Sequence, residues 1–137
     1  MGVKGRIKKS IKIKPKKKRN TTKHNELVKI GKKWLLNQNG KRWSSGVVFG
    51  ELVHSGMETP DVIGFASYGS AIIEVKTSRA DFSRDKNKMF RRYPDMGMGG
   101  YRFYLCPKDL IKKEELPEKW GLIYVDENKK ARIIVEP

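Results

Sequence analysis

Cysteine is nearly absent from this 137-residue chain: Cys106 is the only one. One thiol excludes an internal disulfide. With only two histidines beside it, the chain lacks the ligands of a structural zinc site. Cys106 follows an apolar run and precedes Pro107, so it reads as a small buried hydrophobe. Long apolar runs are also lacking. Nothing reads as a transmembrane span or a secretory h-region, which implies no membrane partner. The expected setting is reducing and cytoplasmic, and nucleoid association or a phage origin would both fit it. Acidic residues are missing from residues 1–23, which hold 11 Lys and Arg. The net charge is +16, yet the rest of the chain has 20 basic and 15 acidic residues, a net of +5.

The basic excess therefore lies in "VKGRIKKSIKIKPKKKRN". No apolar pattern there can bury a face, and like charges repel, so residues 1–20 are expected to form an extended arm. Residues 21–137 have the length of one domain. Lys14, Lys16, Lys17, Lys18 and Arg19 are the densest part of the arm and suit a polyphosphate, since each neutralised phosphate releases a counterion. A merely solubilising terminus is the plain alternative.

"TTKHNELVKIGKKWLLNQNG" reads as a helix, capped at Thr21 or Thr22 and stopped at Gly40. Leu27, Ile30, Trp34 and Leu35 fall on one stripe. Strands are expected at 47–53, 61–66 and 71–77, with "SYGS" turning the last two into a hairpin. The near-continuous apolar run "AIIEV" marks a strand covered on both faces. A helix follows from Ser78, whose hydroxyl with Asp81 three residues on makes a capping start, to Pro94. "YRFYLCP" is a further strand, "DLIKKEELPEKW" a short helix or irregular crossover, and "GLIYVDENKKARIIVEP" a hairpin. The predicted order is αβββαβ(α)ββ, an α/β domain with one mixed sheet.

Asp61, Glu74 and Lys76 lie at the ends of apolar strands, where charge is costly unless paired or bound to a cation. A turn centred on Tyr68 and Gly69 would set Asp61 opposite Lys76. Alternation then puts all three side chains on one face, with Glu74 a diagonal step of about 7–8 Å from Asp61. Two carboxylates with a nearby carbonyl suit Mg²⁺, and a lysine beside them suits hydrolysis of a phosphodiester. A structural salt-bridge cluster explains the same residues equally well.

"PD" at 60–61, with "EVK" at 74–76, resembles the PD-(D/E)XK nuclease superfamily. "EL" at 51, "PDVIGF", "IIEVKTSRADFSRDK", "YRFYLCP" and "LPEKWGLIYVD" look like its MmcB-like, DNA-repair-associated branch. The resemblance spans residues 47–126 and implies a restriction-endonuclease-like core. It implies that Asp61 and Glu74 bind Mg²⁺ or Mn²⁺, with the Val75 carbonyl as a further ligand. Lys76 would orient water or steady the transition state. A further acid is expected from Glu51, on the preceding strand, or Glu26, on the first helix. The implied function is a metal-dependent endonuclease acting on branched, flap or junction DNA in repair or recombination. Junction-resolving relatives act as dimers, so a homodimer is implied too. Ser78 and Arg79 could meet a DNA phosphate at the start of the second helix. Arg79 could instead pair with Asp81 or Asp85. Arg91 and Arg92 read as caps of that helix, and Trp43 and Trp120 as core. The competing function is a non-catalytic nucleic-acid binder with the same fold.

Overall fold

The computed structural model describes residues 21–37, 42–50, 59–88, 91, 97 and 99–137. The arm, Glu51 and Gly40 lie outside the described residues, as do Arg92, Pro94 and part of the "MGMGG" loop.

Among the described residues the protein is an α/β fold with one six-stranded mixed sheet and two helices. In chain order these are α1 (Thr21–Leu36), β1 (Val47–Gly50), β2 (Val62–Ala66), β3 (Gly69–Val75), α2 (Arg79–Asp85), β4 (Tyr101–Pro107), β5 (Trp120–Val125) and β6 (Ala131–Val135). A 3-10 turn, Lys113–Glu115, occupies the irregular crossover before β5. The strands lie side by side in sequence order. β1, β2 and β3 form an antiparallel meander. β3, β4 and β5 run parallel, and β6 returns antiparallel to β5.

Parallel neighbours need crossovers, and right-handed crossovers advancing the same way fall on the same side of a sheet. Accordingly Phe82 of α2, and Ile111 and Leu116 around the 3-10 turn, join one apolar layer with Ile63, Ile72, Tyr104 and Leu122. Helix α1 covers the other face, where Leu27, Val28 and Leu35 pack on Val62, Ile73, Val75, Phe103 and Leu105. Strand β3 is thus covered on both sides, as its apolar run requires. Trp43, Trp120 and Cys106 are buried core. Burial pushes the Cys106 thiol up to about 11, so it stays a neutral, inert packing group.

Gly31 sits where α1 presses on the sheet. A Cβ there would lie 3.5 Å from Ile73 Cδ1 and Leu105 Cδ1 and 3.6 Å from Val62 Cγ2, which is ordinary contact. Alanine also restricts the unfolded chain and favours helix by up to about 1 kcal/mol. Gly31→Ala should therefore stabilise the protein by roughly 0.5–1 kcal/mol. A higher denaturation midpoint at unchanged slope is the expected reading; a lower midpoint would mean that α1 cannot tolerate the methyl group.

Candidate functional site

Strand β3 ends at Val75, and the Lys76 N–H still donates to Leu105 O of β4 at 3.0 Å. Glu74 and Lys76 therefore alternate onto the α2 face of the sheet. Asp61 directly precedes β2. The hairpin pairs Ala66 with Gly69 and Val62 with Ile73. One step further, Asp61 abuts Glu74, not Lys76 as the sequence spacing suggested. The turn is Ser67–Tyr68, because Gly69, at φ 108°, already opens β3. The register differs from expectation by two residues, an even number, so every side chain keeps its face.

Asp61 is held from two sides. Its Oδ2 accepts the Val75 N–H at 2.8 Å, and its Oδ1 lies 3.2 Å from His24 Nε2 of α1. Glu74 is only 3% exposed. Its Oε2 is 3.7 Å from Lys76 Nζ, and its Oε1 is buried with no hydrogen-bond partner. Burial and the Asp61 charge push the Glu74 carboxyl up to about 7, against the pull of Lys76, Lys88 and Arg91.

Lys76 lies nearer to a second carboxylate. Its Nζ is 3.0 Å from Asp85 Oδ1, at the end of α2. Asp85 also takes Lys88 Nζ at 2.9 Å, Arg91 Nε at 2.8 Å, Arg91 Nη2 at 3.2 Å and the Tyr104 hydroxyl. Burial alone would raise the Asp85 carboxyl, but Lys76 and Arg91 outweigh it and hold it well below the usual aspartate range. The opposite happens at Tyr104: burial and the Asp85 charge drive its hydroxyl upward, so it remains a donor. Six groups thus form one chain of charge: Asp61, Glu74 and Asp85 against Lys76, Lys88 and Arg91.

Other expected residues go elsewhere. Glu26 turns to Lys129 in the β5–β6 turn and does not join Asp61 and Glu74. It lies two positions after His24, and so on another side of the helix. Ser78 caps α2, its Oγ accepting the Asp81 N–H at 3.1 Å. Arg79 pairs with neither Asp81 nor Asp85. Its two terminal nitrogens hold Glu115 at 2.6 Å each, and Nη1 also donates to Leu110 O at 3.0 Å. This fork pulls the Glu115 carboxyl down to about 2 and engages the guanidinium expected to face DNA. Arg91, expected as a helix cap, instead holds Asp85 across the site.

Sequence reasoning missed His24 as the α1 side chain that reaches Asp61, and Asp85 as the hub. Only the Asp85–Lys88 spacing, three residues apart in a helical pattern, was a visible signal. Tyr104 arrives from β4, 19 residues away.

Hard oxygen donors suit Mg²⁺ or Mn²⁺. Asp61 and Glu74 supply two carboxylates on one face, and the unpartnered Glu74 Oε1 is the kind of buried atom that a cation would satisfy. Among the described residues no third His, Cys, Asp or Glu completes a metal-sized group with them. The donors present fit the ion as a pair, to be completed by water and phosphate. No helix among the described residues is long and apolar enough to cross a membrane. No family model, curated protein or solved structure matches this chain.

Proposed function

We propose that the protein is a divalent-metal-dependent DNA endonuclease, with β1–β4 and α2 forming a restriction-endonuclease-like core. The observation that carries this reading is Glu74 Oε1, buried and unpartnered beside the Lys76 ammonium and the Asp61 charge. A structural ion-pair cluster has no use for an orphaned carboxylate oxygen, which costs about 1–3 kcal/mol or more when buried.

Asp61 and Glu74 would hold Mg²⁺ or Mn²⁺, which when bound polarises a phosphoryl oxygen and makes a coordinated water more acidic. Val75 fixes Asp61 through its N–H, so the carboxylate is oriented before any ion arrives. Lys76 supplies a fixed ammonium for negative charge developing on phosphorus. Asp85 keeps that ammonium in place and, by holding it, stops it from closing fully on Glu74. With Glu74 ionised, three carboxylates balance three cations in the cluster. A divalent ion would leave it two charges positive, which suits a phosphodiester anion.

The test is plasmid cleavage in Mg²⁺, Mn²⁺ or EDTA, followed by a gel comparing linear, flap, fork and four-way-junction DNA. Cleavage should need metal and fall on the order of a thousandfold in Lys76→Ala. Cleavage surviving in both Lys76→Ala and Glu74→Ala would assign it to a contaminant. A second reading is a non-catalytic nucleic-acid binder. Lys76 lies closer to Asp85 than to Glu74, as it would in a purely structural cluster. That reading expects binding without metal-dependent cleavage.

A further inference from the structure

The sheet has an opening on the side away from Glu74. It is a cleft of about 880 Å³ between the C-terminal half of α1 and β6. Lys33, Arg42, Lys129 and Arg132 line it, with Trp34 and Ile133 as apolar walls. The one acid among the described residues lining it, Glu136, already accepts the Trp43 indole N–H at 2.8 Å. Lys129 is turned to Glu26. Among the described residues no carboxylate pairs with Lys33, Arg42 or Arg132. The Arg42 guanidinium is held 4.7 Å over the Trp43 ring, at the cleft wall.

These cations make the cleft a place for an anion. The chain's own basic residues 1–20 would meet like charge there. The apolar walls narrow the choice further. A duplex hides its bases and gains little from Trp34 and Ile133, whereas unpaired bases stack on such surfaces while cations track the phosphates. We propose that this cleft binds single-stranded DNA, with phosphates at Lys33 and Arg42 and bases against Trp34 and Ile133.

Position gives the binding its meaning. Trp34 and Ile133 pack on the layer that contains Ile73 and Leu105. Glu74 alternates with Ile73 to the opposite face, toward Ile72 and Tyr104. One straight duplex cannot touch both faces of a sheet. A duplex continued by a single strand can, by placing the duplex at the carboxylates and turning the strand over the sheet edge. Resting on the nuclease reading, this names the substrate class as DNA with a single-stranded arm, a flap or a fork.

The experiment is fluorescence anisotropy of the full chain in EDTA, so that binding is read without catalysis. The probes are labelled oligothymidylate, a blunt duplex and the same duplex with a single-stranded tail. Lys33→Glu/Arg42→Glu changes two exposed side chains and should keep the thermal midpoint. Its affinity for oligothymidylate should fall at least about tenfold, and the slope of log K against log salt should shrink by about 1.4, the share of two phosphates on a single strand. The tailed duplex should lose its advantage over the blunt one. Unchanged affinity and slope would overturn the proposal and leave an acidic protein surface as the occupant. An equal loss on the blunt duplex would overturn the single-strand assignment. If wild-type protein binds oligothymidylate but never cuts, the nuclease reading fails and the cleft stands.

Discussion

Glu74→Gln should abolish metal-dependent cleavage and, at pH 8, make the protein more stable. Both effects come from one carboxylate. In the folded state burial and Asp61 raise the Glu74 carboxyl from 4.5 to about 7. The native state therefore binds a proton between those values that the unfolded chain releases. Stability falls as pH rises through that window, and above about pH 7 the folded protein carries the full penalty. Each pKa unit is worth about 1.4 kcal/mol, so the penalty is on the order of 3–4 kcal/mol. A neutral amide of the same shape removes it. The thermal midpoint of Glu74→Gln should rise by several degrees at pH 8, at roughly 3–4 °C per kcal/mol for a chain of this size. The gain should shrink to a few tenths of a kcal/mol near pH 4.5, where folded Glu74 is protonated and unfolded Glu74 is already half protonated. Cleavage should drop on the order of a thousandfold at every pH, because the amide cannot replace a charged oxygen donor. Thermal melts at pH 4.5 and 8 check the first half, and plasmid nicking the second. An equal or lower midpoint at pH 8 would show that Glu74 is a satisfied structural residue. A gain in stability with a loss of chemistry is the pattern expected where a site is held in a strained charge state for function.

Much of this arrangement was legible in the sequence, and the missing parts share a cause. The helical stripe around Leu27 and Leu35 and the two-sided apolar run of β3 are local patterns, and the elements formed where those patterns lie. The shared face of Asp61, Glu74 and Lys76 needed only alternation and a short turn. It survived a register error because the error was even. The turn itself was ambiguous: Gly69 could belong to the loop or, with its positive φ, open the strand. Arg79 had carboxylates at 81 and 85 to choose from, yet it found Glu115, 36 residues on, after the crossover folded back. The Asp85 hub joins α2 to Tyr104 on β4, a contact that exists only once α2 packs on the sheet. His24 and Glu26 differ by two residues on α1 and thus by more than half a turn. Only the docked orientation of the helix decides which of them meets Asp61.

Asp85→Asn should do the reverse of Glu74→Gln, destabilising the protein by about 3–5 kcal/mol at neutral pH, the usual result of breaking a buried ion pair. Asp85 is 1% exposed and gathers Lys76 and Arg91, whose side chains are themselves 5% and 2% exposed. Without its charge those cations remain buried with less to balance them. The sign with pH is also reversed. The folded-state carboxyl lies below its ordinary range, so its stabilisation is complete above about pH 4 and drains away only as the solution becomes more acid. The Asp85 carboxylate's own contribution is therefore the same at pH 5 and pH 8, unlike the penalty at Glu74. Chemistry should suffer as well. Freed from Asp85, the Lys76 ammonium has Glu74 Oε2 as its nearest carboxylate oxygen, at 3.7 Å, and can close on it. An ammonium closed on Glu74 Oε2 competes with a divalent ion for the charge of the same carboxylate, so the metal concentration for half-maximal cleavage should rise about tenfold or more. Tyr104→Phe separates packing from charge. It removes one donor to Asp85 and leaves the cations in place, so it should cost only about 1 kcal/mol and leave the metal requirement unchanged. A metal requirement unmoved in Asp85→Asn, measured below its melting temperature, would show that Asp85 supports the fold without holding Lys76 for the reaction.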